Sequence, residues 1–203
     1  MRRRMRSIVP ALLLLVVGGC SSTTPTEESK TTENVTDPVP IQEPGFETIF
    51  DGQSLDGWDG NPKFWRVEDG AITGQTTTEN PLPGNTFIIW RGGETADFEL
   101  KLEYRIDGGN SGVQYRSFEV EDHPWVVGGY QADFEAGDGW SGANYGERFR
   151  GVLAKRGEKT VIGADHKPQV VDSLGNTEAL QSHIKKNDWN DYHIIARGPI
   201  LIP

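Results

Sequence analysis

The sequence predicts an all-β domain, a β-sandwich of the jelly-roll kind, on three observations. The 203 residues include 25 Gly and 12 Pro against 2 Met, a composition that suits turns better than packed helices. Phe98, Leu100, Leu102, Tyr104 and Ile106 alternate with Glu99, Lys101, Glu103 and Arg105, the period of a strand with one buried face. No stretch sustains a 3.6-residue amphipathic pattern; Thr177–Lys186 comes nearest, and it is short.

The elements follow in order along residues 46–203, which predict one folded domain. Trp65–Glu68 and Ala71–Gly74 read as a hairpin closed by Asp69-Gly70. The alternating strand from Phe98 ends at the turn cluster Asp107-Gly108-Gly109-Asn110, and Val113, Tyr115 and Arg116 open another strand. Further short strands are expected at Gly129–Phe134, Gly151–Lys155 and Asp191–Ala196. Many short strands between turn signals define the sandwich.

The first forty-five residues read differently. Arg2, Arg3, Arg4 and Arg6 precede the ten-residue apolar run Ile8–Val17, which is too short to span a bilayer core needing roughly 20 residues. A charged start, a short apolar run and small residues are the pattern of an export signal over residues 1–19. Val17-Gly18-Gly19-Cys20 resembles the lipobox of bacterial lipoproteins, in which the cysteine is lipidated, and Cys20 is the only Cys of the chain. Residues 20–45 hold six Thr, three Ser, four Pro and five acids and predict an extended, lipid-anchored tether. The expected location is a bacterial membrane, on its periplasmic or outer surface.

Charge narrows the partners. The formal charge is −10, and loss of residues 1–19 with their four Arg brings it to −14. Such a chain has no cationic face for phosphates, which excludes a nucleic-acid binder. It repels anionic head groups, so membrane contact is expected through the lipid anchor only. One Cys excludes a disulfide framework and a Cys-based zinc site. The four His (His123, His166, His183 and His193) lack ligand spacing, and no Gly-x-Ser-x-Gly elbow is present.

Five segments in register resemble the 3-keto-disaccharide hydrolase family. They are Phe50–Trp58 with Trp65–Gly70, Phe98–Lys101, Tyr104-Arg105 with Asn110–Arg116, Gly129–Asp133, and Trp189–Tyr192. The resemblance implies a concanavalin-like (laminin-G-like) jelly roll and cleavage of 3-keto glycosides. Members of that family usually continue for several strands beyond the Trp-Asn segment, so the resemblance also predicts a sandwich lacking its last strands.

A 3-keto sugar has an acidic C2 proton, because the anion delocalises onto the ketone oxygen. Its removal expels the C1 substituent by β-elimination, and water then adds back, without the oxocarbenium chemistry of two-carboxylate glycosidases. Such a site needs a base, a stabiliser for the enediolate and groups that orient the ring. Asp133 is the first choice for base or metal ligand, with Glu135 on the same face. Arg116 is expected to stabilise the enediolate. Asn110 and Gln131 suit sugar hydroxyls, although Asn110 equally suits a turn. Tyr130, Trp125 and Trp140 are candidates for stacking on sugar, and His123 lies in the loop between the two central motifs. Whether a divalent cation takes part is open. The alternative is a non-catalytic, lectin-like carbohydrate-binding module; an adhesion domain would also fit the tether.

Overall fold

Two four-stranded sheets face each other in a computed structural model that describes residues 44–203 and the backbone of residues 5–7. The expected lipidation site Cys20, the tether up to residue 43 and most of the expected export signal lie outside the described residues. Among the described residues, no helix is long and apolar enough to cross a membrane.

Strand β1 (Met5–Ser7) lies parallel to the later segment Phe98–Leu100. Next come β2 (Trp58–Gly60), β3 (Trp65–Glu68), β4 (Ala71–Gly74) and β5 (Ile88–Trp90), then β6 (Phe98–Tyr104), β7 (Asn110–Glu119) and β8 (Val127–Glu135). After them run β9 (Asn144–Glu147), β10 (Gly151–Ala154), β11 (Glu158–Ile162), β12 (Pro168–Ser173), α1 (Thr177–Gln181), β13 (Asn190–Arg197) and β14 (Ile200–Ile202). One sheet has the order β1-β6-β13-β14 and the other β10-β9-β8-β7, while β2–β5, β3–β4 and β11–β12 form separate pairs.

Local chemistry explains most of these elements. Asp69 and Gly70 both take positive φ, 50° and 75°, the geometry of the two-residue turn that matches strand twist. Within Thr177–Lys186, the stretch nearest to a helical period, one short helix forms over Thr177–Gln181. Asn176 caps it by accepting from the Glu178 amide at 2.7 Å, but it buries no side chain that could extend it. The Trp189-Asn190 segment opens β13 because buried Asn190 ties the preceding loop, donating to the Lys185 and Asp188 carbonyls.

The core lies between the sheets. Phe98 of β6 and Ile194 and Ala196 of β13 pack against Tyr115 of β7 and Ala132 of β8. Ile194, Ala196 and Ala132 are fully buried, and Leu100, Leu102, Val113 and Tyr192 close around them. Tyr104 stacks on Phe134 at 4.2 Å between ring centres. Two hydrogen bonds satisfy polar atoms in this layer. Tyr115 donates to Asn144 Oδ1, and Tyr192 donates to the main-chain carbonyl of Asp133, each at 3.0 Å. The second bond fixes the backbone from which the Asp133 side chain leaves in the opposite direction.

Candidate active site on the outer face of the β7–β8–β9 sheet

Strand alternation decides what the outer face carries. On β8, Tyr130, Ala132 and Phe134 point into the core, so Gln131, Asp133 and Glu135 point away from it. On β7, Val113 and Tyr115 are inward, which turns Asn110, Gly112 and Gln114 outward. The register sets Asn110 opposite Glu135, Gly112 opposite Asp133 and Gln114 opposite Gln131. From β9, Tyr145 faces Gln131 and Glu147 faces Gly129.

These side chains form a hydrogen-bonded chain that ends on one carboxylate. Ser117 Oγ donates to Gln114 Oε1 at 3.2 Å, Gln114 Nε2 donates to Gln131 Oε1 at 2.7 Å, and Gln131 Nε2 donates to Asp133 Oδ1 at 2.5 Å. Each amide spends its oxygen on the previous donor and its nitrogen on the next acceptor. Oδ1 of Asp133 is therefore held, while Oδ2 makes no hydrogen bond among the described residues. Asp133 is 6% exposed. Burial is the main cause that lifts its carboxyl from the ordinary 3.8 to about 6; the Gln131 hydrogen bond opposes the rise, and the Glu135 and Glu147 charges add to it.

Two glycines make this arrangement fit. A Cβ at Gly112 would stand 2.7 Å from Gln131 Cγ and 2.8 Å from the Ala132 carbonyl, so any side chain there displaces the amide that holds Asp133. At Gly129, φ is 145° and a Cβ would stand 2.7 Å from Ser117 Cα. Gly129 faces a bulge in which Arg116 and Ser117 together span one position of β8.

That bulge corrects the expectation for Arg116. Regular alternation would put its guanidinium beside Gln114 and Asp133. At φ 47° the side chain turns instead to the facing sheet. It donates to the carbonyls of Ala96 (2.7 Å) and Gly198 (2.6 Å) and pairs with Asp97 at 3.2 Å. Arg116 clamps the start of β6 to the end of β13 and is not at the site.

The other expected residues divide. Asn110 and Gln131 are on the Asp133 face; Asn110 is exposed at the strand start, and Gln131 is committed to the chain of amides. Glu135 shares the face, but its Oε1 accepts from the Gly139 and Trp140 amides. Tyr130 is inward, stacked 5.8 Å from Tyr115 and edge-on to Phe149, so it packs against the core and away from the Asp133 face. His123 lies in the loop beyond the Val127 end of β8, and Val127 and Asp133 are six positions apart along the strand, roughly 20 Å. Trp125 donates its indole N–H to Asp59 at 2.6 Å and braces β2. Among the described residues, no group of three or more His, Cys, Asp or Glu side chains is placed to hold a metal ion.

Gln114, Gly112, Tyr145 and Glu147 were missed as site residues. Counting in twos back from Tyr115 reveals the first two. Tyr145 and Glu147 become visible only with the β8–β9 register, which no local signal reports.

A model of the 3-keto-alpha-glucoside-1,2-lyase-like domain matches residues 45–202. The chain belongs to that family. The match takes in every strand from β2 to β14, both sheets of the sandwich and the whole Asp133 face of this lyase-like domain. A 3-keto-disaccharide hydrolase of Bacteroides thetaiotaomicron is 33% identical over 92 residues, which are 40% of this chain and 31% of that protein. The matched stretch thus spans about a third of the length of this curated relative.

Proposed function

We propose that this lyase-like domain cleaves 3-keto glycosides, with Asp133 as the base that takes the C2 proton. The reading is supported by its family membership and by the name of the relative it resembles. One observation carries the assignment to Asp133: a buried carboxyl lifted to about 6, with one oxygen held by Gln131 and the other uncommitted. A base with that proton affinity is ionised at neutral pH and stronger than a solvated carboxylate.

The chemistry balances without an external oxidant or reductant. Oδ2 takes the C2 proton, and the C–H electron pair delocalises onto the C3 oxygen. Collapse of that enediolate forms the C1–C2 double bond and breaks the C1–O bond, and the departing oxygen leaves as an alcohol on taking a proton. Water then adds its hydroxyl to C1 and a proton to C2, so the net change is hydrolysis. Gln131 holds Oδ1 so that Oδ2 is the oxygen presented to substrate. Tyr145 supplies a phenol on the same face, directly across from Gln131, with no hydrogen bond of its own among the described residues. In this reading its O–H donates to the C3 oxygen as charge develops there.

The test is turnover of a 3-keto disaccharide by the full chain and by Asp133→Asn. The variant keeps shape but lacks the basic oxygen, and its rate is expected to fall by about 10²–10⁴-fold with substrate binding retained. Near-parental turnover removes Asp133 as base. Binding without turnover in the parent chain favours a lectin-like module.

A further inference from the structure

The segment that joins β8 to β9 is held from several sides at the end of the Asp133 face. Its backbone is anchored on either side of Trp140. Glu135 Oε1 accepts from the Gly139 amide and, at 2.7 Å, from the Trp140 amide. Arg156 donates to the Ser141 carbonyl at 2.6 Å and the Asp138 carbonyl at 2.8 Å, and Lys186 pairs with the Asp138 carboxylate at 2.8 Å. The Gly142 amide then bonds the Asp133 carbonyl at 2.9 Å.

The indole carried by this loop is only partly covered. Trp140 is 39% exposed and makes no ring contact or side-chain hydrogen bond among the described residues. The fold covers the rest of the side chain and leaves this part of its apolar surface open to a ligand. Glu135 points to the same side as Asp133, two residues and roughly 7 Å along the strand, so the loop it binds borders the Asp133 face.

We propose that Trp140 is a stacking platform for one pyranose ring of the glycoside that Asp133 acts on. The proposal deepens the glycosidic reading and rests on it for the ligand class. The C–H face of a pyranose carries partial positive charge and meets the negative face of an indole, and a ring carried on an anchored backbone binds with less ordering than one on a free loop. Glu135 is then a positioning residue, whose carboxylate fixes the backbone of Trp140 rather than touching the reacting atoms.

Binding separates this proposal from the question of turnover. A 3-keto disaccharide is titrated calorimetrically into full-length Asp133→Asn and into the same chain carrying Trp140→Ala or Trp140→Phe. Trp140→Ala is expected to weaken binding by about tenfold, the usual scale for removing a Trp anchor, and Trp140→Phe by less than about threefold. An Ala variant within about twofold of its parent, an equal loss in the Phe variant, or no binding by the parent overturns the platform. A wild-type chain that binds the sugar without cleaving it overturns the glycosidic reading alone, and the same comparison of affinities still decides the role of Trp140.

Discussion

Gln131 and Asp133 sit two residues apart on β8 with their side chains on one face, and Gln131 Nε2 donates to Asp133 Oδ1 at 2.5 Å. A hydrogen bond to a carboxylate favours its charged form, so Gln131 opposes the burial that raises the Asp133 pKa. The pair therefore fixes the direction of the carboxylate and moderates the rise in pKa that burial causes.

If Asp133 is the base, kcat/KM for a 3-keto disaccharide should rise with pH through about 6. A pH–rate profile of the parent chain checks it. A profile flat from pH 4.5 to 8 would count against any role for this carboxyl.

Neighbours should move that limb in opposite directions. Gln131→Leu removes a bond that favours the carboxylate and should shift the limb upward; Glu135→Gln removes a nearby negative charge and should shift it downward. Glu135→Gln keeps an amide oxygen to accept from Gly139 and Trp140, so the loop should hold. Equal profiles for both variants and the parent would show that neither group acts on Asp133.

Stability should carry the same signature. The Asp133 pKa is raised in the folded state, so the folded chain binds more protons than the unfolded one between about 4 and 6. Its contribution is then most favourable at low pH and is lost as pH rises through 6. Asp133→Asn should stabilise the domain at pH 7.5 by about 1–3 kcal/mol, with the gain vanishing near pH 4. Urea unfolding at the two pH values measures the difference.

Arg116 should behave as a structural clamp. Arg116→Ala leaves the Ala96 and Gly198 carbonyls and the Asp97 carboxylate without their donor. A loss of about 2 kcal/mol, roughly 4–8 °C in Tm, is expected. At a temperature where the variant is folded, its kcat for a 3-keto disaccharide should stay within a few-fold of the parent. A large fall in kcat with unchanged Tm would return Arg116 to the site.

The residues themselves determined much of this protein. Alternation from Phe98 to Tyr104 marked a half-buried strand, Asp69-Gly70 marked a hairpin, and Gly129–Asp133 marked the strand that carries the candidate base. Such features are local, because period two and turn geometry depend on a few consecutive residues. What only the tertiary structure decided were the places where alternation breaks or strands from distant sequence meet. The bulge opposite Gly129 sends Arg116 to the facing sheet, 82 residues away in sequence at Gly198. The β8–β9 register brings in Tyr145 and Glu147, and the loop tied to Glu135 leaves Trp140 beside the site while Tyr130 goes to the core. Sequence spacing specifies which way a side chain points along one strand, whereas what it meets there depends on the pairing and packing of the other strands.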